Sequence, residues 1–264
     1  MNVFIAALLG LIQGLSEFLP ISSSGHLVLM QSVFGIEEGA LFFDTMLHMG
    51  TLAAVVAVFY RELWALLKKP FQKKVYMLLI ATALTAVMGF ALQPLFGDAF
   101  SGKFLGFGFV LTAAILFTNE KLARGSRTEE QMRVPDALAV GFMQGVAILP
   151  GISRSGSTIA GARIFGLSKE DAAQFSFILS IPVILGALVV QIPDVIEIGM
   201  GGIPWISVAV GTLVAAVSGY FAVRWMLRLI IKKSLMGFAI YTLILGALVL
   251  ADQFITNFFF AKPF

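Results

Sequence analysis

Long apolar stretches alternate along the chain with short polar or Pro/Gly punctuation. Six of them, at residues 41–60, 75–93, 103–119, 170–190, 204–223 and 235–257, approach the roughly 20 apolar residues that carry a helix across a bilayer. Lys69-Pro70, Pro94, Gly97, Pro193 and Gly201-Gly202 mark their ends. Residues 2–35 and 136–166 follow a different pattern. Each holds an apolar half of about 15 residues, a Pro/Ser/Gly break and a second short half, too short to span and suited to a re-entrant helix pair. The pattern predicts an all-α polytopic membrane protein with six spans and two re-entrant pairs in a single membrane domain. Short alternating strands, the mark of a membrane barrel, do not occur.

Composition agrees with this reading. The chain is 59% hydrophobic and 12% charged, with a mean hydropathy of +0.95, more apolar material than a soluble core of this length requires. The absence of cysteine excludes a disulfide framework, a thiol nucleophile and a zinc–thiolate site. The apolar N-terminus lacks a basic leader and a small-residue cleavage site, so no cleaved signal peptide is expected. No basic, aromatic-interleaved helix suggests nucleic acid as a partner.

Charge placement orients the spans. Arg61, Lys68, Lys69, Lys73 and Lys74 follow the first span. Lys121, Arg124, Arg127 and Arg133 follow the third, and Arg224, Arg228, Lys232 and Lys233 follow the fifth. The other connections carry Glu37, Glu38, Asp98, Asp194 and Glu197, with Lys103 their only base. Basic loops stay in the cytoplasm, and six spans alternate correctly with these three loops inside.

The two broken segments are related. "GLIQGLSEFLPISSSGH" from Gly10 and "GFMQGVAILPGISRSGS" from Gly141 align without a gap. Gly10, Gln13, Gly14, Ser22, Ser24 and Gly25 then match Gly141, Gln144, Gly145, Ser153, Ser155 and Gly156 at an offset of 131, while Pro20 and Pro150 fall one position out of step. The halves, about 1–131 and 132–264, each hold one hairpin and three spans. Three is odd, so the second half enters the membrane inverted, and the two breaks should meet near the midplane.

The breaks also concentrate the chemistry. Each starts a half-helix, at residues 22–35 and 153–166, whose free N–H groups and positive dipole end favour an anion. Serines beside both ends add donors, and Arg154 adds a planar cation suited to phosphate. Charge inside a membrane is expensive and marks function. Glu17, one turn after Gln13, reads as a divalent-metal ligand or proton acceptor, with Gln13 as a second oxygen ligand or interhelical glue. His26 follows Ser23 by three residues, so a Ser–His nucleophile and base, or a nucleophilic histidine, is expected. His48 reads as structural and Asp44 as an interfacial acid.

These motifs resemble a known family. "QGLSEFLPISSSGH" and "PGISRSGST", with "FDTMLHMGTLAAVVAVFYREL" and "AAQFSFILSIPVILGAL", are similar to the signatures of the bacitracin-resistance type of undecaprenyl-pyrophosphate phosphatase, along nearly the whole chain. The resemblance implies hydrolysis of undecaprenyl pyrophosphate to the monophosphate carrier and inorganic phosphate. It implies a bacterial inner-membrane location, a site open to the periplasm, and dependence on Mg2+ or Ca2+ without an organic cofactor. It assigns the acidic motif to Gln13 and Glu17, the serine and histidine to Ser23 and His26, and the arginine to Arg154. Ser22, Ser24, Gly25, Ser153, Ser155, Gly156 and Thr158 are the expected phosphate contacts. Glutamine at position 13 leaves one negative charge fewer than a two-carboxylate site. Ser23, His26 and water remain open as the attacking group. The expected partners are a polyprenyl pyrophosphate lipid and the bilayer, with a homodimer left open. A transporter or flippase of a lipid phosphate is the alternative, since inverted repeats with broken helices also build carriers. A type-2 phosphatidic-acid phosphatase is excluded, because no histidine follows Ser153-Arg154.

Overall fold

The computed structural model describes residues 1–36, 40–95, 101–123, 125–198 and 202–260. The expectations for Glu37, Glu38, Gly97, Asp98, Arg124 and Gly201 lie outside the described residues. The described chain is all-helical, with only an isolated bridge between Arg127 and Leu167. Five helices, α1 (Val3–Phe18), α2 (Ser23–Phe34), α3 (Ala40–Lys68), α4 (Lys73–Leu92) and α5 (Leu105–Leu122), precede five more. These are α6 (Val134–Val146), α7 (Arg154–Ile164), α8 (Lys169–Ile198), α9 (Trp205–Lys232) and α10 (Met236–Ala251).

Six helical segments are long and apolar enough to cross a membrane: Ala40–Lys68, Lys73–Leu92, Leu105–Leu122, Lys169–Pro193, Trp205–Lys232 and Met236–Thr256. They coincide with the six apolar stretches, and the protein is a multi-pass membrane protein. Several helices outrun their apolar windows. Arg61 and Lys68 sit on α3 and Arg224, Arg228 and Lys232 on α9, not in loops; Asp194 and Glu197 fall on the last turns of α8. Long basic side chains can stay helical at the boundary by extending their stems along the helix. Arg61, Lys68, Lys121 and Arg224 lie over the rings of Tyr60, Trp64, Phe117 and Tyr220, the aromatic anchoring expected at a membrane interface.

Polar contacts sort the helix ends into two groups. At one end Lys74 pairs with Glu62 and Glu129, Lys169 with Glu120, and Arg127 bonds Asp136 and the Phe165 carbonyl. This end gathers all three basic connections and also receives the start of α6 and the end of α7. At the other end Ser207 bonds the Met1 carbonyl, Ser32 the Phe259 carbonyl, and Gln253 the Gly102 and Lys103 carbonyls.

Packing uses close backbone approaches at glycine, as membrane interfaces do. α1 lies on α9: a Cβ at Gly10 would come within 2.3 Å of the Gly211 oxygen, and one at Gly14 within 2.6 Å of the Ala215 oxygen. α6 lies on α4 in the same manner: a Cβ at Gly141 would meet the Ala81 oxygen at 2.6 Å, and one at Gly145 the Met88 sulfur at 2.4 Å. The glycines matched between the halves therefore make corresponding contacts. A core of Phe18, Phe175, Phe177 and Met226 lies beneath the breaks, with Phe18 and Phe177 edge-to-face at 5.6 Å.

Candidate active site

Proline sets the end of α1. Leu19 is extended (φ −79°, ψ 146°), as a residue before proline prefers, and Pro20 cannot continue the helical ladder. Ser22 then takes φ 69°, ψ 95°, a strained conformation for a residue with a Cβ. Its hydroxyl accepts from the Gly25 N–H and caps α2. The second break mirrors this. Gly151 turns the chain at φ +87°, and Ser153 caps α7 by accepting from the Gly156 N–H at 3.1 Å. Thr112 of α5 grips that turn, donating to the Gly151 carbonyl and accepting from the Ser153 N–H, both at 2.8 Å.

The two breaks touch. Ser155 Oγ donates to the Leu19 carbonyl at 3.0 Å, and a Cβ at Gly25 would lie 2.9 Å from the Gly151 Cα. Their contact brings Glu17 into a polar cluster. Glu17 is 6% exposed. Its Oε2 accepts from Ser23 Oγ at 2.5 Å and from Gln13 Nε2 at 3.1 Å, and its Oε1 accepts from Arg154 Nη2 at 2.5 Å. One carboxyl group thus joins a hydroxyl from the first break to a guanidinium from the second. Two buried atoms in this cluster have no partner: Gln13 Oε1, an acceptor, and Arg154 Nη1, a donor. Buried polar atoms are nearly always satisfied, so these two atoms are an acceptor and a donor left for a polar ligand.

The structure brings Gln13, Glu17, Ser23 and Arg154 together. It does not bring His26 to Ser23. His26 Nδ1 lies 2.7 Å from the Ser22 carbonyl and Nε2 2.7 Å from the Tyr241 hydroxyl. Ser22 and Ser153 spend their hydroxyls as caps on the N–H groups of Gly25 and Gly156 that an anion would otherwise use. Thr158 is fully buried and bonds Ser176 and the carbonyls of Arg154 and Ser155. Ser24 lies half-buried on the first turn of α2. The first-turn N–H groups of Ser23, Ser24, Arg154 and Ser155 have no acceptor within their own helices.

His48, read from the sequence as structural, reaches the cluster: its Nε2 is 3.8 Å from Glu17 Oε2, while Nδ1 donates to the Asp44 carbonyl at 2.8 Å. Asp44 accepts from Gln31 Nε2 at 2.7 Å rather than standing free at the interface. The signal that would have found both is their place inside an apolar span, where ionisable residues are functional by default. Tyr241 gave no such signal.

This arrangement suits phosphoryl transfer: an alcohol bonded to a carboxyl group, beside a fixed cation with one unused donor. Comparison with known proteins agrees. Residues 6–248 match the family model described as "Bacitracin resistance protein BacA". The chain is 45% identical to the undecaprenyl-diphosphatase of Carboxydothermus hydrogenoformans, over 96% of this chain and 98% of that protein. It is 40% identical to the undecaprenyl-diphosphatase of Halothermothrix orenii, over 95% and 98%. It is 43% identical to undecaprenyl-diphosphatase 4 of Bacillus cereus, over 96% and 98%.

Proposed function

The chain belongs to the bacitracin resistance protein family, and we propose that it does what its relatives' names state. It is an undecaprenyl-diphosphatase, hydrolysing undecaprenyl pyrophosphate to undecaprenyl phosphate and inorganic phosphate and so recycling the carrier for cell-wall glycans. The observation that carries this reading is the Glu17 carboxyl group, held at 2.5 Å by both Ser23 Oγ and Arg154 Nη2.

Glu17 takes the Ser23 proton as Ser23 Oγ attacks the terminal phosphorus. The bond from that phosphorus to the bridging oxygen breaks, and undecaprenyl phosphate leaves with the electron pair. Water then attacks the phosphoserine phosphorus, the bond from phosphorus to Ser23 Oγ breaks as Glu17 returns the proton to that oxygen, and inorganic phosphate leaves carrying both hydrogens of the water. Arg154 turns its free Nη1 to the phosphoryl oxygens, and the first-turn N–H groups of α2 and α7 add positive potential. The divalent metal expected for the family fits the residues present. Gln13 Oε1 is a buried oxygen without a partner beside the Glu17 carboxyl group, and hard cations take such oxygens along with phosphate and water. Bound there, the metal would offset negative charge on the phosphoryl group.

Two inverted repeats, about 1–131 and 132–264, with α1–α2 and α6–α7 as re-entrant pairs, form the framework. Reciprocal packing supports this: α1 on α9 answers α6 on α4, with matched glycines at each contact. The protein lies in the bacterial inner membrane, its basic end in the cytoplasm and its site open to the periplasm. His48 stands eight residues, about 12 Å along the helix axis, from the non-basic end of α3, so the cluster is nearer that end. The lipid tail lies against apolar surface within the bilayer.

The test is phosphate release from undecaprenyl pyrophosphate by purified protein, with magnesium, calcium or a chelator. Metal-dependent release that Arg154→Ala abolishes is expected. Wild type that is folded and inactive under every metal would overturn the reading and direct attention to lipid-phosphate transport in liposomes.

A further inference from the structure

We infer that Tyr241 is a positioning residue for Ser23, acting through His26 and the backbone of Ser22. The inference rests on the reading of Ser23 as the attacking group.

His26 has a defined place. Its ring stacks on Tyr241, with centroids 5.7 Å apart and planes 11° from parallel, and meets the edge of Phe109 at 5.4 Å. Nδ1 faces the Ser22 carbonyl, which can only accept, so Nδ1 carries a proton. Nε2 of the neutral ring then accepts from the Tyr241 hydroxyl at 2.7 Å. Both ring nitrogens are used, and neither meets Ser23 or Glu17. The imidazole is a strut between α10 and the start of α2.

The strut ends on the residue that most needs support. Among the described residues, Ser22 and Asn257 are the only non-glycines with positive φ. Such strain, about 1–3 kcal/mol, persists only where neighbouring contacts fix the conformation. The Ser22 carbonyl takes two bonds from His26, one from Nδ1 at 2.7 Å and one from the backbone N–H at 3.2 Å. Ser22 immediately precedes Ser23, so a rotation about its ψ carries Ser23 Oγ away from Glu17 Oε2. The 2.5 Å contact on which proton transfer depends is therefore held partly from Tyr241.

The hydroxyl, not the ring, supplies the constraint. Tyr241 is 44% exposed and lines a cavity of about 440 Å³ with Ile21, Leu229 and Phe238. Without its hydrogen bond the ring has room to swing, and His26 loses the partner that fixes its second nitrogen.

The experiment compares Tyr241→Phe, His26→Asn and His26→Ala with wild type in undecaprenyl pyrophosphate hydrolysis, with thermal unfolding measured in the same detergent. Tyr241→Phe should lower kcat about three- to tenfold, the worth of one hydrogen bond, with KM within about twofold and an unfolding temperature lowered by no more than about 4 °C. His26→Asn, whose amide N–H can replace Nδ1–H toward the Ser22 carbonyl, should retain at least about tenfold more activity than His26→Ala. Wild-type kcat in Tyr241→Phe would overturn the inference, as would His26→Asn no more active than His26→Ala, the result of a histidine that itself transfers a proton or phosphoryl group. Ser23→Ala, run alongside, isolates the premise: wild-type turnover there would remove the reading of Ser23 and this inference with it.

Discussion

Glu17→Gln separates chemistry from architecture at the point where the two breaks meet. The substitution keeps the shape of the side chain and one acceptor oxygen, so Arg154 Nη2 retains a partner at the 2.5 Å contact. What disappears is the charge and the basic oxygen opposite Ser23 Oγ. Taking the charge from this buried pair leaves Arg154 uncompensated and costs about 3 kcal/mol, a shift of about 6–12 °C in unfolding temperature for a chain of this size. Loss of a positioned general base costs about 10²- to 10⁴-fold in rate, or about 3–5 kcal/mol of barrier. The expected variant is thus less stable than wild type but folded below its transition, and almost inactive there. Steady-state phosphate release, with scanning fluorimetry on the same preparation, measures both quantities. Because Ser23 and Glu17 act as one unit, Glu17→Gln combined with Ser23→Ala should be no slower than the worse single variant. A folded Glu17→Gln enzyme retaining more than about a tenth of wild-type turnover would refute proton transfer from Ser23 to Glu17.

Further outcomes follow from other parts of the fold. Gly10→Ala and Gly141→Ala drive a methyl group into the backbone oxygens of Gly211 and Ala81, so each should lose about 1–3 kcal/mol in detergent unfolding. Arg163 is 5% exposed and bonds Asn119 and the Ala123 carbonyl, with Glu120 at 3.7 Å; Arg163→Met should cost about 3 kcal/mol in the same assay while the folded fraction keeps its KM. A chelator should halt phosphate release and added magnesium restore it, whereas Gln13→Ala should raise the magnesium concentration needed for half-maximal rate. The chain has no native cysteine, so in cells Thr256→Cys should react with an impermeant maleimide from outside and Ser126→Cys only after lysis.

Much of the scaffold could be read from local pattern. The six spans appear as apolar length, and Pro20 and Pro150 mark the two breaks because proline removes a ladder donor and restricts its predecessor. The matched Gly10/Gly141 and Gly14/Gly145 pairs read as a repeat, and the fold supplies their cause in two close helix contacts. Gln13 and Glu17 were legible as a pair because four residues is one helical turn. The partner of Ser23 was not. Helical spacing pointed to His26, but the break between α1 and α2 folds Ser23 back onto Glu17, and no periodicity describes a reversal through a strained Ser22. His48 and Tyr241 reach their partners from separate helices; Tyr241 lies 215 residues from His26. Contacts of that range are set by how the halves pack, which one sequence does not encode as a local pattern. The serines at the breaks carried a real signal with two meanings, since a hydroxyl beside a helix N-terminus serves equally well as a cap or as an anion contact.

The central claim is that Ser23 of the first break attacks the phosphoryl group that Arg154 of the second holds. Quenching the enzyme in neutral detergent denaturant, which preserves both phosphoserine and acid-labile phosphohistidine, during turnover of undecaprenyl pyrophosphate labelled in its terminal phosphate, then locating the label by peptide mass spectrometry without acid steps, tests it most directly. Phosphoserine is expected at Ser23, absent in Ser23→Ala and in Arg154→Ala. Label on His26, or full turnover in Ser23→Ala, would contradict it.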